Sequence, residues 1–378
     1  MNHRYQGGLW AALFLILLLP LLFIKSGIGH PLFNLPVRRL SGSLPRARLV
    51  WEYYGKDNHI PCWLGGKLVT QQQITADASG TLVAVDADGT TLWKEEITDP
   101  FTAASDGRQL ILAPKNGQVM KVVPDRGVLW SEATGWETQF LVLSAEGTIA
   151  LAQGPIVEEQ ANLLERVRFY SDEGEFLVEH AFRNNSIIRM AFKPAGLAVS
   201  SINLAGEMPQ GQVFDLAPDS TDCKLLWKDR EIVHALAVGN SKMAAAAEDK
   251  IFLVDQSGKS HIIKLGQRVA DLAWAGDEKL AVAKGGDLPS AAGQVVLIST
   301  DGEQKWQQRL KGACRFLVAR EDEILAADAN IVYSYSIRGD LNWCYESPAI
   351  IKGLYPQVKD PKVVVASGEN HLQLIEPP

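Results

Sequence analysis

A short hairpin-like segment recurs along the chain about every 35 to 50 residues and continues to the C-terminus. In the copy at residues 80–97, two runs of β-forming residues occur, and the first alternates apolar side chains up to Asp86. The pair Asp88-Gly89 supplies the positive φ that a tight hairpin turn needs, and Trp93 follows in the second run. Clear copies lie at residues 117–130, 293–306 and 330–343, and weaker ones at 167–178, 211–227 and 250–262. The repeat predicts a chain of β-hairpins.

The extent of the repeat limits the domain organisation. The 378 residues could form two average domains or one large all-β domain, and a repeat that runs through nearly the whole chain favours the second. A pair of β-sandwich domains is the alternative. It explains neither the regular spacing of the tryptophans nor the way in which the repeat array begins with the last strand of a unit, which is described next. We therefore predict one all-β domain over residues 45–378.

The two ends of the repeat array complement each other. Residues 47–54 resemble the last strand of a unit, as residues 91–97 do, while the chain from residue 351 onward supplies three strands and then ends. One N-terminal strand and three C-terminal strands would complete a single four-stranded sheet. A blade shared in this way closes the ring of a β-propeller, and this is the fold that the sequence predicts.

One residue marks the outermost strand of each predicted blade, which gives eight blades: Trp51, Trp93, Trp130, Val178, Trp227, Ile262, Trp306 and Trp343. Seven blades are the alternative, because two of these positions lack tryptophan. The predicted blades span residues 56–98, 99–134, 135–185, 186–231, 232–267, 268–312 and 313–349, and the last combines 350–378 with 45–55.

Residues 8–24 differ in composition from every later segment. They carry no charge over 17 positions and are apolar on all sides, whereas a core helix would keep a polar face. A hydrocarbon layer of ~30 Å needs about 20 such residues, and Trp10 and Lys25 can reach the two interfaces. Residues 1–25 are therefore predicted to be a cytoplasmic stub and a transmembrane anchor, with a cleaved signal peptide as the alternative. Residues 26–44, which mix Pro, Gly and Ser, are predicted to be a linker.

Charge and reactive side chains argue against several functions. The net charge is −7 with acidic and basic residues interspersed, so nucleic acid is not an expected partner. The seven histidines and four cysteines are scattered without the spacing of a metal site, and the blade assignment separates the cysteines too far for a disulfide. Neither Gly-x-Ser-x-Gly nor His-Glu-x-x-His occurs. We expect no metal, no disulfide and no hydrolase machinery.

The segment from Ala84 to Trp93 (Ala-Val-Asp-Ala-Asp-Gly-Thr-Thr-Leu-Trp) resembles the tryptophan-docking repeat of the PQQ-like, or quinoprotein-type, β-propellers. The resemblance covers residues 45–378, is clear in four units, and usually falls one residue short of the family motif. In that family the indole stacks on a neighbouring blade and its N–H binds a backbone acceptor. The resemblance therefore implies structural roles for Trp51, Trp93, Trp130, Trp227, Trp306 and Trp343.

The catalytic members of this family carry an adjacent Cys-Cys pair over the quinone. No two cysteines are adjacent here, and no calcium-binding set or catalytic aspartate of the family can be matched. The resemblance thus implies the non-catalytic branch, with no enzymatic activity and no cofactor.

Three enlarged loops indicate a binding face. They fall between the second and third strands of the third, fourth and sixth blades, and equivalent loops of a propeller emerge on one face. Apolar residues stand among carboxylates in these loops, as they do in protein interfaces, and the candidates are Glu158, Leu163, Leu164, Met208 and Asp287. The first loop also holds the best helix candidate, residues 157–166. The alternative is that Leu163 and Leu164 only pin that short helix onto the propeller.

These observations favour a membrane-tethered, single-pass, non-catalytic propeller that acts as a protein-binding or scaffold module outside the cytoplasm. The extracytoplasmic side rests on the resemblance, because related propellers are mostly exported, while basic residues such as Arg4 and Lys25 flank the apolar segment on both sides. A ligand-sensing surface propeller and a quinoprotein-type oxidoreductase that uses the central channel are the alternatives. Bound quinone or calcium would distinguish the oxidoreductase from the other two.

Overall fold

The computed structural model describes residues 45–378 with short gaps, at 55–58, 65–66, 74–78, 86–89, 99–100, 107, 115, 124–126, 156–163, 256, 286–291, 321, 357–360 and 369–370. The predicted anchor, its signal-peptide alternative and the predicted linker all lie outside these residues. In the described part of the chain, no helix is long and apolar enough to cross a membrane.

Thirty-two strands are described, and they form eight four-stranded antiparallel sheets, which are the blades of a β-propeller. Blade 1 contains β2 (His59–Leu64), β3 (Lys67–Gln73), β4 (Ser79–Val85) and β5 (Thr91–Thr98), and blade 2 contains β6 (Phe101–Ser105), β7 (Leu110–Pro114), β8 (Gln118–Val123) and β9 (Gly127–Ala133). Blade 3 contains β10 (Glu137–Leu143), β11 (Ile149–Gly154), β12 (Leu164–Tyr170) and β13 (Phe176–Arg183), and blade 4 contains β14 (Asn185–Lys193), β15 (Gly196–Asn203), β16 (Gln210–Leu216) and β17 (Cys223–Asp229).

Blade 5 contains β18 (Ala235–Val238), β19 (Lys242–Ala247), β20 (Lys250–Asp255) and β21 (Ser260–Lys264), and blade 6 contains β22 (Val269–Trp274), β23 (Lys279–Lys284), β24 (Gln294–Ser299) and β25 (Gln304–Arg309). Blade 7 contains β26 (Phe316–Ala319), β27 (Glu323–Ala327), β28 (Ile331–Ser336) and β29 (Leu341–Glu346). Blade 8 contains β30 (Ile351–Pro356), β31 (Val363–Ser367), β32 (His371–Glu376) and β1 (Arg48–Tyr54). Each predicted blade encloses its four strands, except that β14 begins one residue before the predicted boundary.

Blade 8 combines the two ends of the described chain. Its strand order is β1-β32-β31-β30, so that β1 is the outermost strand. It pairs antiparallel with β32, from Arg48 opposite Glu376 to Tyr54 opposite His371. This is the arrangement that the offset of the terminal strands predicts.

A buried polar network joins β1 to its neighbours. The amide nitrogen of the fully buried Gln373, on β32, donates to Glu52 Oε1 at 3.2 Å and to Tyr345 Oη at 2.6 Å. Its amide oxygen accepts hydrogen bonds from Ser347 Oγ at 3.1 Å and Ser367 Oγ at 3.3 Å. Glu52 lies on β1 and Tyr345 on blade 7, so one side chain connects the closing strand, its own sheet and the preceding blade. An unpaired buried amide costs ~1–3 kcal/mol, and the network therefore favours the closed ring.

The second strand of each well-described blade is deeply buried. Every residue of β7 and of β11 is buried. Because neighbouring blades cover these strands on both faces, they consist of continuous runs of Ala, Val, Leu and Ile instead of alternating apolar and polar residues. Between blades 5 and 6, Ala244 and Ile251 pack in one cluster with Leu280 and Val296. Apolar contacts between the faces of adjacent sheets thus hold the blades together.

The turn between the third and fourth strands has the same structure in four blades, at residues 171–175, 255–259, 299–303 and 336–340. The first residue is Ser or Asp, and its N–H donates to the carbonyl of the fifth. The fourth is a glycine whose N–H donates to the carbonyl of the first. These glycines are Gly174, Gly258, Gly302 and Gly339, with φ between +82° and +90°. Only glycine adopts this backbone region readily, which explains its recurrence in the sequence repeat.

Two of the predicted docking tryptophans bind this turn in the next blade. Trp130 of blade 2 donates its indole N–H to the carbonyl oxygen of Asp172 in blade 3, at 3.2 Å. Trp306 of blade 6 donates in the same way to the carbonyl oxygen of Ile337 in blade 7, at 3.0 Å. Each indole thus contributes apolar area and one hydrogen bond across a blade junction.

The turn glycine lies directly against the docked indole. A Cβ atom added to Gly174 would lie 2.7 Å from Trp130 Cδ2, and one added to Gly339 would lie 2.7 Å from Trp306 Cγ. A side chain at either position would displace the ring. The glycine therefore serves both the backbone turn and the contact between blades.

The other docking positions make different contacts. Trp343 is buried and donates to Glu323 Oε1 of its own blade at 3.2 Å. Trp227 of blade 4 packs against Phe252 of blade 5, with ring centroids 4.4 Å apart. Trp51 and Trp93 lie on the outermost strands β1 and β5, and their side chains are outside the described part of the molecule.

A β-bulge immediately precedes the docking position in seven of the eight described outermost strands. In blade 2, Trp130 is opposite Lys121 and Val128 is opposite Val122, which leaves Leu129 as the extra residue. The equivalent extra residues are Val50, Leu92, Leu177, Leu226, Lys305 and Asn342. A bulge bends a strand and increases its twist. Its regular position therefore sets the orientation of the docking side chain.

The predicted helix at residues 157–166 is wrong at its C-terminal end. Residues 164–166 belong to β12, which pairs along its length with β13; the rest of the segment lies outside the described residues. Glu, Gln, Ala and Leu favour a helix locally, but pairing in the sheet outweighs this weak preference. Glu165 also accepts hydrogen bonds from the N–H of Ile187 (2.6 Å) and from Ser186 Oγ (3.1 Å) in blade 4.

Deletion of residues 45–55 tests the closure of the ring. Without β1, the strand β32 keeps an unpaired edge and the apolar contacts of Val50 with Val364 and Leu374 are lost. A loss of about 3 kcal/mol corresponds to roughly 4 °C in a domain of this size, because the entropy of unfolding grows with chain length. We expect this fall in the melting temperature of the full chain, measured by circular dichroism. Deletion of residues 30–40, of equal length, is the control, and equal melting of both variants would contradict closure by β1.

Replacement of Trp306 tests the docking contact. Trp306→Ala should cost ~3–5 kcal/mol, the range for truncation of a large packed aromatic side chain. Trp306→Phe keeps a ring but loses the hydrogen bond to Ile337, and should cost only ~1 kcal/mol beyond the change in packing. Urea unfolding of the three proteins gives these differences. A stable Trp306→Ala protein that loses a specific ligand would instead make Trp306 a binding residue.

Candidate functional site

Antiparallel pairing places two different sets of loops at the two ends of each blade. In each blade, the turns from first to second strand and from third to fourth strand emerge at one end of the sheet. The loops from second to third strand, and the connections between blades, emerge at the other end. We call the first end the turn face and the second the loop face. The glycine turns between third and fourth strands, which we call the docking turns, lie on the turn face. The three enlarged loops lie on the loop face.

The structure places the predicted loop residues as follows. The enlarged loops connect β11 to β12, β15 to β16 and β23 to β24, as predicted. Glu158, Leu163 and Asp287 lie outside the described residues. Leu164 is not a loop residue, because it is the first residue of β12. Met208 lies in the blade 4 loop and is 58% exposed, the highest value among the large apolar side chains of the described residues.

Met208 is one of three exposed large apolar side chains on the loop face of blade 4 and its connection to blade 5. Leu204, in the same loop, is 39% exposed, and Ile232, in the connection to blade 5, is 37% exposed. The two segments meet at Gly211, where an added Cβ atom would lie 2.1 Å from the carbonyl oxygen of Glu231. Only glycine allows this close approach. We call Leu204, Met208 and Ile232 the blade 4 patch.

Charged residues are sequence neighbours of Met208 and Ile232. Glu207 and Arg230 are exposed, and Glu231 forms an ion pair with Lys250 of β20. The backbone N–H of Arg230 is held by Asp229 Oδ1 at 2.6 Å. Exposed apolar side chains within a charged rim are typical of protein interfaces.

A buried cation lies at the base of the enlarged loop of blade 3. The guanidinium carbon of Arg166 is 3.9 Å from the centroid of the Trp136 ring, and its nitrogen atoms donate to the carbonyl oxygen of Thr134 (3.1 Å) and to Glu179 Oε2 (3.1 Å). Burial, with the nearby charge of Arg168, lowers the pKa of Arg166 to about 10. The group remains a cation at neutral pH, and the cluster fixes the blade connection against β12.

Asp271, on the first strand of blade 6, interacts with groups of other blades. Asp271 of blade 6 accepts hydrogen bonds from its own neighbour Leu272 N–H (2.9 Å) and from Leu317 N–H of blade 7 (3.2 Å). Burial raises its pKa, while these hydrogen bonds and the charges of Arg189 and His234 lower it, with burial dominant. Arg189 lies in blade 4, so its field reaches Asp271 from two blades away. His234 is held by the carbonyl oxygen of Val269.

Among the described residues, no three His, Cys, Asp or Glu side chains are grouped to hold a metal ion. Cys223, Cys314 and Cys344 are free thiols. Cys314 is buried, and burial together with the charges of Asp271 and Asp328 raises the pKa of its thiol. A protonated, buried thiol is a poor nucleophile.

Comparison with solved structures shows the β-propeller fold. BamB from Moraxella catarrhalis has a TM-score of 0.62 at 12% identity, over 87% of this chain and 99% of that one. Sqt1 from Saccharomyces cerevisiae has a TM-score of 0.64 at 11% identity, over 89% and 100%. BBS1N, solved in complex with ARL6DN, has a TM-score of 0.52 at 14% identity, over 89% and 98%. No protein-family model matches the chain, and no curated protein is similar to it in sequence.

Sequence reasoning found part of this site. It selected Met208 from the length of its loop and the presence of an apolar residue there. It missed Ile232, because the connection between blades 4 and 5 is short and carries no local signal, and only the contact at Gly211 brings it to the loop. It also missed Arg189 and Asp271, since the 82 residues that separate them in the sequence hide their proximity.

Asp271 should make stability depend on pH. Its pKa is raised in the folded protein, so the folded state binds its proton more tightly than the unfolded state, and this group costs stability as pH rises above the unfolded value. Asp271→Asn removes the ionisation. The melting temperature of the variant minus that of the wild type should therefore increase between about pH 4 and pH 7.

The exposed Asp219 provides the control, because Asp219→Asn makes the same change in charge. Thermal unfolding of the three proteins across this pH range gives the comparison. A difference for Asp271→Asn that stays constant or decreases with pH would show that burial does not dominate at this carboxylate.

Proposed function

We propose that this protein is a non-catalytic β-propeller, tethered to the cell membrane through residues 8–24, that binds a protein partner on its loop face outside the cytoplasm. The blade 4 patch is the centre of the proposed interface. The partner contributes apolar side chains that cover Leu204, Met208 and Ile232, and polar groups that meet the surrounding charges.

One observation carries this proposal, namely the exposure of Met208, together with that of Leu204 and Ile232, on a face that carries enlarged loops. A solvated surface gains nothing from exposed Leu, Met and Ile side chains, because each leaves apolar area in water. Met is flexible and polarizable and packs against varied surfaces. The rigid sheets beneath hold the patch in place, which lowers the entropic cost of binding.

Two further observations support the proposal. A propeller of the same fold, BBS1N, was solved as a complex with another protein, so this fold can carry a protein interface. Residues 8–24 have the length and composition of a short membrane-spanning helix. A tether leaves a propeller free to act on a partner at the membrane surface, and the exported character of related propellers favours the outer side.

The proposal is tested by recovery of partners from native membranes. The tagged full chain and the variant Leu204→Ser/Met208→Ser/Ile232→Ser are captured after mild cross-linking, and co-purified proteins are quantified by mass spectrometry. Loss of central apolar contacts should reduce recovery of a specific partner by about tenfold or more. The variant should melt as the wild type does, because the three side chains are exposed.

Ile262→Ser is the matched control, because Ile262 is 55% exposed but lies on the outermost strand of blade 5. Equal recovery from all three proteins would place the interface elsewhere. The same membranes test the tether, since the full chain should resist an alkaline wash while a chain without residues 8–24 should not. Protease should reach the propeller only from the outer side, and cleavage from the cytoplasmic side would contradict the proposed orientation.

A further inference from the structure

A cleft opens on the turn face between blades 4 and 5. Its volume is about 280 Å³. Leu226, Met243 and Val254 form its apolar floor, and the last two are 4% and 5% exposed. The first-to-second strand turns of both blades form its walls, with Pro194 and Asn240 among the lining residues.

The cleft occupies a junction where other blades dock a tryptophan. The residue before the docking turn is Tyr170 in blade 3 and Tyr335 in blade 7; the ring of Tyr335 lies 5.9 Å from that of Trp306, and Tyr170 packs in one cluster with Trp130. At the equivalent position blade 5 has Val254, which is much smaller. Space that a tyrosine fills in the other two junctions is therefore open here.

The docking turn of blade 5 also lacks an indole against its glycine. An added Cβ atom at Gly258 would meet Lys224 Nζ at 3.1 Å, where Gly174 and Gly339 would meet a tryptophan ring. Trp227, the docking residue of blade 4, packs instead against Phe252. The contact between Trp227 and Phe252 thus holds this junction together. The space beside Gly258, which an indole fills in the other two junctions, is instead next to the exposed ammonium group of Lys224.

The charges of the lining favour an anionic ligand. Three lysines and two aspartates line the cleft, in a chain whose net charge is −7. Lys193 is paired with Asp215 at 2.6 Å, and Lys242 with Glu278 at 3.4 Å. Asp255 accepts the hydroxyl of Ser257 (2.6 Å) and the N–H of Lys259 (3.0 Å). Among the ion pairs of the described residues, none involves Lys224. Lys224 is therefore the lining lysine that is left to pair with a carboxylate of a ligand.

The size and composition of the cleft point to a peptide. Sites for small-molecule ligands begin at about 300 Å³, so this cleft holds one large side chain more readily than a whole cofactor. Its floor is apolar, and its rim carries three lysines and two aspartates, of which Lys224 is the lysine outside any ion pair of the described residues. We propose that the cleft binds an acidic segment of a protein partner, which inserts one aromatic side chain onto Leu226, Met243 and Val254 and places a neighbouring carboxylate at Lys224.

This site is separate from the blade 4 patch, because it lies on the opposite face. A propeller with one interface on each face can hold two proteins at once. The inference does not depend on the proposed function, and either interface can exist without the other.

A fluorescein-labelled heptapeptide with one central phenylalanine, two aspartates on each side and glycine at both ends is the probe. Its binding to the purified full chain is measured by fluorescence polarisation. Val254→Tyr restores the residue type of blades 3 and 7 and should abolish binding by filling the floor. Lys224→Gln leaves the floor unchanged and should weaken binding by about two- to fivefold, the range for one exposed ion pair.

The control Lys264→Gln makes the same change in charge on the outermost strand of blade 5, away from the cleft, and should bind as the wild type does. The same peptide with asparagine for aspartate should bind more weakly. Met208→Ser should leave peptide binding unchanged, which separates this site from the loop-face interface. If Val254→Tyr lowers the melting temperature, its loss of binding could come from misfolding, and the comparison of Lys224→Gln with Lys264→Gln then tests the proposal.

Three kinds of result would overturn the proposal. The first is no binding of the acidic peptide to the wild type at about 1 mM, where even a weak specific contact of ~4 kcal/mol would be seen. The second is equal binding of the acidic and neutral peptides, or equal weakening by Lys224→Gln and Lys264→Gln. The third is full displacement of the peptide by an equal concentration of succinate, which would mean that the cleft recognises carboxylates without the peptide.

Discussion

The pairing of β1 with β32 is the interaction on which the closed ring depends. Every other blade is built from four strands that follow one another in the chain, so its sheet forms from local hairpins. Blade 8 instead needs two strands whose paired residues Arg48 and Glu376 are 328 positions apart. Bringing them together costs loop-closure entropy, which the backbone hydrogen bonds, the apolar contacts of Val50 and the network around Gln373 offset. Once this pairing forms, the first and last blades cannot separate without breaking a sheet.

The contacts between blades are variations of one docking arrangement. A bulge orients a docking side chain, the next blade presents a turn with a glycine at positive φ, and the ring packs on that glycine. Where tryptophan, tyrosine and glycine are all present, as with Trp306, Tyr335 and Gly339, the junction is filled. Where one component changes, as with Val254 in blade 5, the same geometry leaves a cleft. Departures from a local rule often mark functional sites in proteins, and the cleft between blades 4 and 5 is such a departure.

The sequence predicted the architecture well because the repeat reports local structure. An Asp-Gly turn followed by tryptophan specifies a hairpin, and the positions of the outermost strands β9, β17 and β25 followed directly from Trp130, Trp227 and Trp306. Prediction failed where long-range pairing decides the outcome, as for Leu164, whose helix-favouring surroundings give way to pairing with β13. Of the candidate site, Met208 could be predicted from its loop. Ile232, Asp271 and the cleft at Lys224 could not, because each depends on contacts between segments that lie far apart in the sequence.

Amide hydrogen exchange of the full chain, followed by mass spectrometry, tests the closed ring most directly. If β1 is the outermost strand of blade 8, peptides that cover residues 48–54 will exchange slowly, at rates comparable with those of the outermost strands of blades 6 and 7, and β32 will be protected as an interior strand is. If residues 48–54 exchange as rapidly as an unstructured chain, and β32 exchanges as an edge strand does, the ring is not closed by β1 and this account of the fold is wrong.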